Sequence, residues 1–183
     1  MEQKRQGNTV RGKGVRYVFC LDEFIDGAVM RRVMQDVIRL HATNPHKSIH
    51  LFLSASGGQL MPAVAFWEFV RIHRIMLDVT VLGAAHSAAI ILLCAGRRRF
   101  ASGSSRFFLH PVFRRYRDVE MTADDLREQT AFSRDDADKY ERIVAAATSQ
   151  SLGKVKMLME KRTNLDVRGA KNIGLIHKVI PTL

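Results

Sequence analysis

Residues 78–95, DVTVLGAAHSAAIILLCA, change character half-way along. Asp78 to Leu82 is rich in β-branched residues and reads as a strand, whereas Ser87 to Ala95 is apolar on every side and reads as a buried helix ended by Gly96. The junction Gly83-Ala84-Ala85-His86-Ser87-Ala88-Ala89 therefore passes from strand to helix and sets a hydroxyl at the helix start. Such a junction aims unpaired backbone N–H groups, and the positive end of the helix dipole, at an anion.

Working outward, the preceding apolar run ends in a similar junction, Leu53-Ser54-Ala55-Ser56-Gly57-Gly58, and the following one closes on an imidazole in Arg106-Phe107-Phe108-Leu109-His110. A serine hydroxyl needs an adjacent base to take its proton as it attacks a carbonyl, and His110 is the candidate for Ser87. The amides of Gly58 and Ala88 are candidate oxyanion donors, because a Gly-Gly turn permits positive φ and leaves its N–H uncovered. Each feature has a plain alternative: Ser87 as an N-cap, Gly57-Gly58 as a turn, His110 as a hydrogen-bonded structural histidine.

The remaining pattern alternates strands and helices. Val15 to Leu21 and Ser48 to Ala55 read as strands; Val29, Val33, Val37 and Leu40 form the stripe of a helix from Asp26 to Thr43. A second helix is expected from Leu60 to Ile75, with Ala63, Phe66, Phe69, Val70 and Ile72 inward and Pro62 in its first turn. Two strands, Arg99 to Ala101 and Ser105 to His110, flank a Ser-Gly-Ser turn, and Pro111 to Glu120 is charged and irregular. Thr122 with Asp125 resembles a capping box opening a long polar helix to Thr148 that projects from the globule or packs on a neighbour. Ser151 starts a further helix, Asp166 caps a short one ended by Gly174, and Leu175 to Ile180 returns as a strand. The expectation is an α/β fold with a largely parallel sheet, residues 15–183 forming one domain behind a flexible basic arm at 1–14.

The chain of 183 residues is 46% hydrophobic, which is ordinary for one globular core. Its longest apolar stretch, Val79 to Ala95, is too interrupted to cross a bilayer, and the polar N-terminus lacks a signal-peptide core, so a cytoplasmic protein is expected. Cys20 and Cys94 lie in apolar runs without metal-ligand spacing and read as buried packing residues, so no metal is expected. The net charge of +11 raises nucleic acid as a partner, but the cations are dispersed over Lys4, Arg5, Arg11 and Lys13, Arg97-Arg98-Arg99, Arg114-Arg115-Arg117 and the C-terminal third. Solvated basic faces or an acidic protein partner are the preferred reading.

Taken in series, these motifs resemble the Clp protease proteolytic subunit family, the caseinolytic serine peptidases. That family's Asn-Ser-Pro-Gly-Gly turn is similar to Ser54-Ala55-Ser56-Gly57-Gly58, its Gly-x-Ala-Ala/His-Ser-Met/Ala turn to Gly83–Ala88, and its Asn-Ser-Arg stretch ending in His to Ser104–His110. Ala95-Gly96, the long helix after the histidine, and Ala170 with Gly174-Leu175-Ile176 extend the likeness. The resemblance implies a crotonase-like fold of repeated β-β-α units with a long handle helix. It also implies Ser87 as nucleophile, His110 as base, Gly58 and Ala88 as oxyanion hole, no cofactor, heptameric rings stacked in pairs, and an AAA+ unfoldase that feeds in peptide or unfolded protein.

The pattern is broken at the third triad residue. Arg162 falls at the family's aspartate, and a cation there cannot orient an imidazole as a carboxylate does. Asn164 and Asp166 are the candidate substitutes, with Asp166 also a candidate N-cap. After the histidine, Pro111-Val112-Phe113-Arg114-Arg115-Tyr116 replaces the family's Gln-Pro and glycine-containing strand; the arginines line the approach to Ser87, favouring acidic substrates, or contact the next subunit. The N-terminal arm lacks the apolar residues that in the family meet the ATPase. The expected function is a serine endopeptidase acting through an acyl-serine. The alternatives are a catalytically impaired structural or regulatory ring subunit, a crotonase-type acyl-CoA enzyme and, last, a nucleic-acid-binding module.

Overall fold

The computed structural model describes residues 11–12, 15–114, 116 and 118–181. Its spine is a mostly parallel sheet: β1 (Arg11–Gly12), β2 (Val15–Leu21), β3 (Ile49–Ala55), β4 (Leu77–His86), β5 (Arg98–Ser102) and β8 (Lys178–Ile180) lie side by side in that order. β1 runs antiparallel to β2, and the other neighbours along this path are parallel. Two of the expected arm residues, Arg11 and Gly12, are thus strand-paired; the rest of that arm lies outside the described residues.

Helices α1 (Gly27–Thr43), α2 (Leu60–Ile72), α3 (Ala88–Cys94), α4 (Ala123–Thr148), α5 (Leu152–Glu160) and α6 (Val167–Asn172) join the strands. The expected strand-strand-helix grouping occurs at β1–β2–α1 and at β5–β6–α4, where β6 is Arg106–Phe108; β3 and β4 each pass directly to a helix. The buried apolar side chains form one contiguous cluster containing the whole of α3. A fully buried Ile or Leu in such a position contributes roughly 1.5–3 kcal/mol. The two thiols are free and buried, and burial pushes both up to about 12, so they act as packing groups.

Helix starts follow the sequence closely because their caps are local. Asp26 accepts from the amides of Ala28 and Val29, and Ser151 from Lys154. Thr122 and Asp125 exchange hydrogen bonds as a capping box. α4 is 26 residues long, roughly 40 Å at helical rise, and only its last third is buried, through Tyr140, Ile143, Val144, Ala145 and Thr148. The end of α2 differs from expectation. It stops at Ile72, Arg74 adopts φ 50°, and the Ile75 amide reaches back to the Val70 carbonyl, so Ile75 is buried while Ile72 is 75% exposed.

The strand β4 divides its partners. Its first half, Asp78 to Val81, pairs with β5, while Ala84 to His86 pairs with β6, which in turn pairs antiparallel with β7 (Asn164–Leu165). The glycine between the two halves, Gly83, has φ 92°.

The basic run at 97–99 is not a uniform solvated face. Arg98 is paired with the buried Asp78, but Arg99 points inward and is 6% exposed without a carboxylate partner among the described residues. Its guanidinium donates to four main-chain carbonyls, those of Gly96, Ala147, Gly174 and Leu175, which belong to the ends of α3 and α4 and the turn before β8. A buried charge satisfied in this way ties three segments together, and removing it orphans several acceptors at once. Arg99→Met is expected to cost about 3 kcal/mol or more, read as a lowered urea midpoint.

Burial also holds His50 and His177 below the ordinary histidine range, as it does His86, for which the neighbouring His110 adds a smaller effect of the same sign. The native state therefore binds fewer protons than the unfolded chain just below neutrality, so acid favours unfolding. Stability is expected to be present above about pH 6.5 and to fall progressively below it, measured by urea unfolding between pH 7.5 and 5.

Candidate active site

Ser87 sits where β4 ends and α3 begins, with φ 54° and ψ −124°. That conformation is costly for a residue with a Cβ and persists only where its surroundings impose it. Here the Ser87 N–H donates to the Phe108 carbonyl at 2.9 Å, continuing the β4–β6 ladder by one residue. From above, the buried Tyr140 hydroxyl of α4 donates to the Ser87 carbonyl at 3.3 Å. Burial pushes the Tyr140 phenol well up, so it remains a donor at all ordinary pH. Ser87 occupies the N-cap position of α3, but its side chain makes no capping hydrogen bond.

The glycine turn after β3 packs against this elbow. A Cβ at Gly57, φ 107°, would come 2.8 Å from the Ser87 Cβ and 2.9 Å from the His86 carbonyl; one at Gly58, φ 152°, would come 2.2 Å from the Ile25 carbonyl. Both positions therefore require glycine. Ile25 donates to the Gly57 carbonyl and accepts from Gln59, which leaves the Gly58 N–H turned away from that bridge and unpartnered among the described residues. The Ala88 N–H is likewise unpartnered among them. Gly58, Ser87, Ala88 and His110 all line one cavity of about 670 Å³, whose other walls include Phe24, Met61, Val112 and Phe113.

His110 lies two residues beyond β6, held by the Leu109 N–H to the Thr163 carbonyl at 3.0 Å and set against Phe108, ring centroids 5.1 Å apart and planes tilted by 41°. Its Nδ1 is 2.7 Å from the Pro111 carbonyl oxygen. A carbonyl only accepts, so Nδ1 carries the proton and Nε2 is left as the basic nitrogen. Ser87 Oγ and the His110 ring share the cavity but are not joined by a hydrogen bond among the described residues.

Among the described residues no carboxylate stands behind His110. Arg162, with φ 50°, lays its guanidinium over the other ring of this pair, 6.0 Å from the Phe108 centroid. Asn164 pairs across the ladder with Phe108 and is exposed. Asp166 is engaged elsewhere: it caps α6, accepting the Gly169 N–H at 2.8 Å. The capping alternative is the one realised, and among the described residues no hydrogen bond joins Asp166 to His110. Arg114 reaches the same cavity but is paired with Asp136 of α4 at 2.7 Å, so its charge is neutralised there; Arg115 and Arg117 lie outside the described residues.

The Clp protease family matches residues 11–182. This chain belongs to the Clp protease family. Among its relatives is the ATP-dependent Clp protease proteolytic subunit 4, chloroplastic, of Arabidopsis thaliana, 30% identical over 171 residues that cover 90% of this chain and 56% of the relative. The chain thus spans about half the length of that curated relative. Within the Clp protease frame, the features that sequence reasoning missed are the two cavity-lining residues of α4, Asp136 and Tyr140. They are four apart on a helix whose polar pattern gives no sign of which face meets the cavity.

Asp166→Ala is expected to lower stability by about 1 kcal/mol through loss of the cap, with the reactivity of Ser87 toward a fluorophosphonate unchanged. Urea unfolding and the labelling rate measure the two effects separately.

Proposed function

We propose that this Clp protease family member is a serine peptidase subunit in which a Ser87–His110 dyad, rather than a carboxylate-backed triad, hydrolyses peptides or unfolded protein within an oligomeric ring. The observation that carries this reading is Ser87 held at φ 54° between two glycine-lined turns, facing the cavity that also receives the Gly58 and Ala88 amides and His110.

In the proposed reaction, Ser87 Oγ attacks the scissile carbonyl as His110 Nε2 takes its proton. The developing oxyanion accepts from the Gly58 and Ala88 N–H groups, each worth roughly 3 kcal/mol of barrier. His110 then returns the proton to the leaving amine, and water, activated by the same nitrogen, releases the acyl group from Ser87. The Ser87–His110 hydrogen bond, not made among the described residues of the unliganded chain, forms when substrate occupies the cavity, as catalytic contacts do in many enzymes. The Pro111 carbonyl supplies what an aspartate would supply for orientation, a fixed tautomer, but not its negative charge against the imidazolium. Turnover is therefore slower than that of a full triad, by up to about 10⁴-fold.

Rings of seven, stacked in pairs and served by an AAA+ unfoldase, are the assembly the family likeness implies, with long α4 as the projecting element. A reducing compartment such as the cytoplasm fits the two free, buried thiols. Among the described residues no helix is long and apolar enough to cross a membrane.

A second reading, a structural or regulatory ring subunit without turnover, is favoured by one observation, the Arg162 guanidinium over Phe108 where the family has an acid. Labelling with a fluorophosphonate separates the two. The folded protein is expected to take the label on Ser87, with the signal abolished in Ser87→Ala and strongly reduced in His110→Ala. A folded chain that takes no label belongs to the second reading.

A further inference from the structure

One face of α4 contacts the Ser87 peptide directly and reaches the segment after His110 through Arg114. Tyr140 holds the nucleophile's own peptide, its hydroxyl donating to the Ser87 carbonyl at 3.3 Å. One turn earlier, the Asp136 carboxylate holds Arg114 at 2.7 Å, and Arg114 follows His110 by four residues through the segment whose Pro111 carbonyl fixes the imidazole tautomer. Arg114 also lies over the Phe132 ring of the same helix, 5.8 Å from its centroid, so the segment is bound to α4 at two adjacent turns.

Both contacts are placed to matter. Asp136 is largely buried, its side chain 13% exposed, and Tyr140 is 2% exposed; each lines the cavity that holds Ser87 and His110. The Ser87 carbonyl also accepts the Ile90 N–H, so Tyr140 clamps a peptide that is already the first of α3. The segment from Pro111 to Arg114, by contrast, has no strand or helix of its own; Val112 packs on the core, Phe113 lies against the His110 ring, and Arg114 ties the segment to α4. A partly buried ion pair of this kind gives a loop one register where water-exposed charges would leave several.

From this arrangement we propose that Asp136 and Tyr140 are positioning residues: α4 sets the distance between nucleophile and base, through Arg114 on the His110 side and through the Ser87 peptide on the other. The inference rests on the dyad reading above. It differs from a specificity role for Arg114, because the arginine's charge is spent on Asp136 and is not offered to an acidic substrate.

The test uses the full-length protein and a small fluorophosphonate, with kinact and KI determined separately, and thermal unfolding recorded for every variant. Asp136→Asn and Tyr140→Phe are each expected to lower kinact about ten- to a hundredfold, the scale on which small misplacements cost rate, while KI stays unchanged. A structural role alone would lower the melting temperature but leave kinact untouched at temperatures where every variant is folded. The charge swap, Asp136→Arg with Arg114→Asp, is expected to restore kinact, since it rebuilds the tether with opposite polarity. Wild-type kinact in either single variant overturns the inference, as does an effect confined to KI, or a folded swap variant that stays slow. If the unaltered protein takes no label, the dyad reading falls and this inference with it; a labelled protein with indifferent variants removes this inference alone.

Discussion

The parallel pairing of β4 with β6 is the interaction on which the site depends. It sets His86 opposite Phe108, extends by one further hydrogen bond from the Ser87 N–H to the Phe108 carbonyl, and so fixes the Ser87 peptide against a residue two before His110. Ser87 and His110 are far apart along the chain, and no local preference brings them together. The ladder does, and it exists only because β4 continues through Gly83 after parting from β5. A strand ending at Leu82, as its β-branched run alone indicates, would leave β6 paired with β7 alone and cut off from the main sheet.

Around that ladder, close backbone approach substitutes for side-chain chemistry. Gly57 and Gly58 let the turn after β3 lie against His86, Ser87 and Ile25 at distances no Cβ tolerates, and both glycines line the cavity. Arg99 plays the corresponding part behind the sheet, where its buried guanidinium gathers carbonyls from the ends of two helices and the turn before β8. The cavity carries little excess charge, although the chain is strongly basic, because its lining arginine, Arg114, is neutralised by Asp136.

The absence of a carboxylate behind His110 is a local matter with a local remedy. A triad aspartate does two things, fixing the tautomer and balancing the imidazolium charge, and these are separable. The Pro111 carbonyl serves the first, while Arg162 on Phe108 works against the second. The site is therefore one in which preorganised amides bear a larger share of any rate enhancement than general-base catalysis does.

Much of this was legible in the linear order of residues, and the reason is range. Caps, turns and apolar periodicity act over a few residues, so Asp26, Thr122 with Asp125, Ser151 and Asp166 marked their helices, and the two junctions at Gly57-Gly58 and Ser87 announced an anion site. The end of α2 was misread because Ile75 continues the helical stripe while a left-handed Arg74 ends the helix, a choice made by packing on the core. Periodicity could not reveal that Arg99 turns inward, or that Asp136 and Tyr140 face the cavity. Those outcomes are settled by which distant backbone groups arrive beside each side chain once the sheet has closed, and contacts between residues remote in sequence leave no trace in local spacing.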